Sequence, residues 1–320
     1  MRRKDLALAL LVVGIWGLNF TVIKLGLGGM PPMLLVSLRF TFTVLPAIFF
    51  VKRPRLPWIY VLAYGMTAGA GQYTADIYAL KLGMPAGLAS VILQSQLFFT
   101  LILAAAFLKE GIRKREVAGM FLGVLGLILM GLPGNLGPIP LPALLLMILA
   151  AIFWAASNIV VRKGSQLLAQ RGEKGDGLSL VVYGSLFALP LFYLGALVIE
   201  GPEALGAALL NLTPGYLYSV IHLAAFGTLF GFAAWNKLLS RYPAGKVASI
   251  SLLVPGTGLL GGWLVMGEVL SLLQVLGIGL ILAGLVLAHF GLPGRGTGSW
   301  VRKPVLKDKE NTEEIIKEEA

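Results

Sequence analysis

An aspartate deep inside a long apolar run is the first residue of this chain that asks for a chemical reason. Asp76 lies eighteen residues beyond Trp58 in the stretch 58–80, with Gln72 one helical turn earlier on the same face. A charge at such depth costs about 2.5–3.5 kcal/mol on insertion scales, so a partner or a task is expected. The carboxylate could hold a solute ammonium or pass a proton, or it could pair with Arg39 or Lys24. Trp16 and Asn19 share a helix face at i,i+3, and Trp154 and Asn158 share one at i,i+4. An indole gives a wide apolar wall, and an amide both donates and accepts, so these pairs suit the lining of a central cavity. The alternative for each amide is ordinary hydrogen bonding between helices. Gln94 and Gln96 cannot face one cavity together, because two helical steps turn about 200°. Gln94, on the face of Ser90 and Phe98, is the one expected inside, with Gln96 against a neighbouring helix. Tyr78, Tyr183 and Trp235 complete the candidate set, while His222 reads as a satisfied polar group near a helix end.

Enzymatic chemistry finds no footing. No His/Glu cluster offers a metal site, no Gly-Lys-Ser/Thr follows the glycines, and no Ser/His/Asp set converges. No cofactor or metal is expected. The chain has no cysteine, which excludes disulfides and thiolate chemistry.

The elements that must position these residues are apolar helices. The 320 residues are 57% hydrophobic and 13% charged, about half the charge of an ordinary soluble domain. Ten apolar stretches cover 6–27, 33–51, 58–80, 86–108, 117–132, 141–161, 178–199, 215–239, 247–266 and 271–290. Most approach the ~20 residues that cross a bilayer as a helix and far exceed the ~9–11 of a barrel strand. The fold class expected is an all-α integral membrane protein with ten transmembrane helices.

Lysine and arginine orient those helices, because they resist translocation. Of 26 basic residues, 23 fall in alternate connections and termini, Lys24 and Lys81 fall on the other side, and Arg39 is inside a span. Both termini are therefore expected in the cytoplasm. The net charge of +11 follows from this bias and from contact with anionic membrane lipids, not from nucleic-acid binding.

A duplication runs through the chain. Pro85-Ala86-Gly87 is followed by Glu110, twenty-five residues after the proline, and Pro243-Ala244-Gly245 is followed by Glu268 at the same distance. In that register Gly119 falls on Gly277 and Gly126 on Gly284. Fainter matches join Trp16 with Lys24 to Trp154 with Arg162, and Leu45-Pro46 to Leu189-Pro190. Five helices per copy is an odd number, so the second copy enters the membrane from the opposite side. The expected domains are a first five-helix repeat at 1–132, an inverted second repeat at 141–290, and a polar cytoplasmic tail at 291–320. Glu110 would sit at the cytoplasmic face and Glu268 at the outer face, each placed to cap the helix that follows. Inverted repeats of this kind are the architecture of alternating-access transporters.

The residues carry a resemblance as well. Trp16-Gly17-Leu18-Asn19, Leu38-Arg39-Phe40 and the paired Pro-Ala-Gly…Glu segments resemble the EamA family of the drug/metabolite transporter superfamily, in particular its exporters of amino-acid metabolites. The resemblance covers roughly residues 4–290. It implies a secondary transporter of the bacterial inner membrane that exports amino acids or related small metabolites, with a small molecule as partner. A drug or aromatic-solute exporter of the same fold is the near alternative, and an intramembrane enzyme the remote one. The sequence carries no signal for the oligomeric state.

Overall fold

In the computed structural model, residues 1–132, 139–173, 175, 177–242, 247 and 250–290 are described, and every element among them is helical. The second Pro-Ala-Gly segment, residues 133–138 and the tail 291–320 lie outside the described residues. Helix α1 spans Arg3–Gly26 and α2 Pro32–Ala47. A third rod is built from α3 (Trp58–Tyr64), a π-helical segment (Gly65–Gly71) and α4 (Gln72–Lys81). A fourth joins α5 (Ala86–Ile92) through a 3₁₀ turn (Leu93–Ser95) to α6 (Gln96–Leu108). Then follow α7 (Lys114–Gly131), α8 (Leu141–Gln170) and α9 (Gly177–Gly195), which continues as a π segment to Glu200. A short α10 (Pro202–Leu210) precedes a rod of α11 (Pro214–Ile221), a π segment (His222–Phe230) and α12 (Gly231–Arg241). The chain closes with α13 (Val254–Met266) and α14 (Leu272–Phe290).

Five of these helices are long and apolar enough to cross a membrane: Arg3–Gly26, Ala86–Leu108, Leu141–Gln170, Gly177–Glu200 and Pro214–Trp235. Shorter apolar helices accompany them, at Pro32–Ala47, Val254–Met266 and Leu272–Ala288. Large apolar side chains such as Phe49, Phe121, Leu145, Leu194, Leu264 and Leu272 are exposed on the outside of the bundle. In water such a surface would be an association liability, whereas in lipid it is the expected contact face. The chain is a multi-pass membrane protein.

The repeat seen in sequence recurs in the backbone, at the 158-residue offset that separates Glu110 from Glu268. Lys109 and Gly267 are both left-handed caps, ending α6 and α13. The N–H groups of Glu110 and Glu268 then reach back to the carbonyls of Ala104 and Gly262. The π segment at Gly65–Gly71 maps onto the one at His222–Phe230, and α6 maps onto α13 residue for residue. The 3₁₀ turn ahead of α6 matches an interruption ahead of α13, so both rods are broken at the same place.

Glycine lets two helices meet through their backbones. A Cβ on Gly119 would lie 2.5 Å from the carbonyl oxygen of Gly284, and one on Gly126 would lie 2.5 Å from that of Gly277. Helices α7 and α14 therefore meet backbone to backbone, where small residues let membrane helices approach closely. Each contact turns into the other when repeat mates are exchanged.

Candidate functional site

The two glutamates of the repeat do not cap the helices that follow them. The first turn of α14 is capped locally, with Gln274 Oε1 accepting from the Ser271 N–H. In α7 the Glu116 carboxylate accepts from the Arg113 N–H. Glu268 instead crosses to the first half of the chain. Its Oε1 and Oε2 accept from the N–H groups of Ala86 (2.6 Å) and Gly87 (2.8 Å), the opening residues of α5. Lys24 at the end of α1 pairs with the same carboxylate at 3.1 Å. The helix N-terminus and the ammonium both favour a carboxylate there, so a 7%-exposed Glu268 is fully compensated. Glu200 does the same nearby, accepting from the N–H groups of Met33 and Leu34 at the start of α2.

At the other end of the bundle Glu110 pairs with Arg162, the repeat mate of Lys24. Here both side chains are over a third exposed. The segment equivalent to Ala86-Gly87 lies outside the described residues, so the capping half of this motif is described on one side alone. The two ends thus carry the same cross-half ion pair, dry at Glu268 and wet at Glu110. Asp5 adds a further link at the Glu110 end, accepting from Tyr242 at 2.7 Å and pairing with Arg241 at 3.2 Å.

Between these ends, Trp16, Asn19 and Ile23 form one face of α1, set against Leu223, Gly227, Gly231 and Trp235 of the α11–α12 rod. The Trp16 indole donates to the Gly227 carbonyl at 3.0 Å and packs against Phe232 and Trp235. Both glycines make room for this face. A Cβ on Gly231 would meet Trp16 Nε1 at 2.5 Å, and one on Gly227 would meet Asn19 Oδ1 at 2.8 Å. Asn19 Oδ1 is buried with no hydrogen-bond partner.

This seam ends in a cavity lined by Ile23, Leu35, Val36, Arg39, Tyr73, Asp76, Ile77 and Leu223. It has room for about one water-sized group. Arg39 and Asp76 are each 3% exposed. Arg39 donates through Nη2 to the Tyr73 hydroxyl and to Thr228, both at 3.2 Å, and its guanidinium lies 4.3 Å from the centre of the Tyr73 ring. Its Nε is buried without a partner, and so is Oδ1 of Asp76. No ion pair within 4.0 Å joins the two charges among the described residues. Lys24, the other candidate partner of Asp76, is held by Glu268. The cavity takes Tyr73, Asp76 and Ile77 from α4, which follows directly on one π segment, and Leu223 from the other, which also holds Thr228. π distortions inside α-helices are frequent at functional sites.

Of the residues expected in a cavity, the fold gathers Trp16, Asn19, Asp76 and Trp235 along this seam, with buried Gln72 one turn from Asp76. Tyr78 lies beside Glu200. Gln94 sits in the 3₁₀ turn and donates to the Ser251 carbonyl at 3.4 Å, so the breaks of the two repeated rods touch through it. Asn158 is engaged elsewhere, donating to Gln96 Oε1 (2.8 Å) and Thr100 (3.1 Å), which seats Gln96 against a neighbouring helix. Trp154 packs on the main core, away from the Trp16 cluster's ring contacts. Tyr183 donates to the Val51 carbonyl and packs on Trp58 near the Glu110 end. Tyr183→Phe should cost about 1 kcal/mol or less of stability. It should leave solute movement unchanged, as thermal unfolding and a flux assay would show. Tyr73 and Thr228, which hold Arg39, were not among the sequence candidates. Arg39 inside an apolar span was the one signal in the sequence that could have found them, since a buried guanidinium needs acceptors around it.

Comparison with known proteins gives a consistent result. Residues 4–132 and 141–290 match the EamA-like transporter family. The chain is 41% identical over 298 residues to a "Probable amino-acid metabolite efflux pump" of Salmonella typhimurium (strain LT2), covering 93% of this chain and 98% of that protein. A protein of Escherichia coli (strain K12) with the same name is 39% identical over 296 residues, covering 92% and 98%. A solved crystal structure shares the fold at a TM-score of 0.57 and 21% identity, over 90% of this chain and 97% of that one.

Proposed function

The chain belongs to the EamA-like transporter family, and from that premise we propose that it exports amino acids or related small metabolites across the bacterial inner membrane by alternating access. The family and the named relatives are transporters, not enzymes. The observation that carries alternating access is the pair of equivalent cross-half links with unequal burial. Lys24–Glu268 is closed down and Arg162–Glu110 is solvated. Two inverted five-helix halves, with ten spans and both termini cytoplasmic, would present these links at opposite membrane faces. On that reading this conformation is sealed outside and looser inside, and rocking the halves exchanges the two states. The broken rods meeting at Gln94 and Ser251 support a site near the bilayer midplane between the halves. The candidate lining is Trp16, Asn19, Gln72, Asp76, Gln94 and Trp235. The drive is the solute gradient or proton exchange.

Counterflow in proteoliposomes with the twenty L-amino acids tests the proposal. At least one should exchange well above empty liposomes, and an unmoved panel would overturn the export reading. A second reading, export of aromatic or drug-like solutes, is favoured by the Trp16–Phe232–Trp235 cluster. It predicts that aromatic solutes outcompete serine in the same assay.

A further inference from the structure

We infer that the Arg39–Asp76 cavity is the subsite for the two charges of an α-amino-acid zwitterion, with the ammonium on Asp76 Oδ1 and the carboxylate on Arg39 Nε. The inference rests on the export reading above and names the chemistry of its site. Two residues of opposite charge line one cavity, and each holds a buried polar atom that lacks a partner. Buried groups of this kind are normally satisfied, so each orphan calls for an explanation. Had they paired directly, a ligand would first have to break a buried ion pair. They stand apart instead, while Tyr73 and Thr228 fix the guanidinium through Nη2.

A zwitterion brings both missing partners on adjacent atoms. The side chain would then run along Asn19 toward the Trp16 and Trp235 rings, the continuation of the same seam. Apart from Tyr73, which already accepts from Arg39, the remaining wall is aliphatic and offers no competing charge: Ile23, Leu35, Val36, Ile77 and Leu223. In the conformation described the cavity is closed to about one water, so the subsite is complete when the α1 and α11–α12 faces part. Free phosphate or a simple cation would satisfy one of the two orphans and leave the other buried.

The test separates the charges on the ligand side before touching the protein. In counterflow competition, the best-moved L-amino acid is compared with its 2-hydroxy acid, which lacks the ammonium, and with its carboxamide, which lacks the carboxylate. Wild type should prefer the zwitterion over each by roughly 10–100-fold, the scale of one charge-assisted contact. Asp76→Asn should erase the preference over the 2-hydroxy acid and keep the preference over the carboxamide, and Arg39→Gln should do the reverse. Arg39→Gln also removes the Tyr73 and Thr228 bonds and could fail to fold, in which case the carboxamide comparison on wild type carries that arm. Equal handling of all three ligands by wild type overturns the inference. So does an Asp76→Asn protein that slows zwitterion and hydroxy acid alike, since that marks Asp76 as a structural companion of Arg39 or the seat of a bridging water. If wild type moves none of the twenty amino acids, the export reading itself falls first.

Discussion

Glu268→Gln should loosen the Lys24 end of the bundle and make the layer beneath it reachable from outside. The carboxylate accepts from two backbone N–H groups of α5 and pairs with Lys24. An amide keeps one acceptor, places a donor against the second N–H, and loses the charge that both the helix terminus and the ammonium favour. Hydrogen bonds to charged groups contribute about 1.5–3 kcal/mol each. Losing one in the sealed state alone would shift the balance between closed and open ends by roughly 10–100-fold. The absence of native cysteine makes this directly measurable. Ser90 sits one turn beneath the cap, 1% exposed, with its Oγ donating to the Gly87 carbonyl at 2.6 Å. A single Ser90→Cys should resist a membrane-impermeant maleimide in the parent and label at least ten times faster with Glu268→Gln. Glu110→Gln should not raise that labelling, because it weakens the opposite end. Unchanged labelling in both would mean that Glu268 caps a static helix and has no part in a gate.

That expectation shows which part of the site was legible in the chain. The spacing of Pro-Ala-Gly and glutamate is visible in one dimension, and basic-residue counting argues that the copies face opposite ways. What the spacing could not carry is the crossing. A carboxylate following an apolar run reads naturally as a cap on the next helix, yet Ser271–Gln274 and Arg113–Glu116 already satisfy those termini. Glu268 is left to reach a helix start far away in sequence. Long-range pairing of this kind depends on which rods become neighbours, and periodicity does not say.

The polar candidates divide on the same ground. Trp16 and Asn19 were legible as a face, and the face exists, but its partner is the glycine-lined rod at Gly227 and Gly231 rather than α8. Glycines announce close approach without naming what approaches. Gln94 and Gln96 were legible as facing apart, which the turn angle requires, and Gln96 indeed meets Asn158 on a neighbouring helix. The π segments were invisible, because seven or nine residues of small and apolar side chains read the same in α and π geometry. Their register decides where Asp76 and Thr228 point, so the Arg39 cavity could be suspected from sequence but not built.

The glycines of α7 and α14 give the second large effect, in stability. Gly126→Ala should destabilise the fold by about 1–3 kcal/mol, as overpacking of a tight contact does. Gly284→Ala should match it. The added methyl would lie 2.5 Å from the Gly277 carbonyl in the first case and 2.4 Å from the Gly119 carbonyl in the second. Backbone cannot step aside as a flexible side chain would, so the two helices must part at the substituted contact. Gly279→Ala on the same α14 meets nothing within 4 Å and should be neutral or raise stability by up to about 1 kcal/mol. Thermal unfolding in detergent compares the three, and equal behaviour would sink the argument. The pairing adds a sharper test. Gly119 and Gly284 share one contact, so after Gly284→Ala has pushed the helices apart, Gly119→Ala should cost much less than it does alone. Gly126 lies about 10 Å farther along α7, at 1.5 Å per residue. If the helices separate by tilting, Gly126→Ala should keep most of its cost beside Gly284→Ala. If they separate as parallel rods, the second cost should vanish at both positions. The unfolding series would then report how α7 and α14 move against each other.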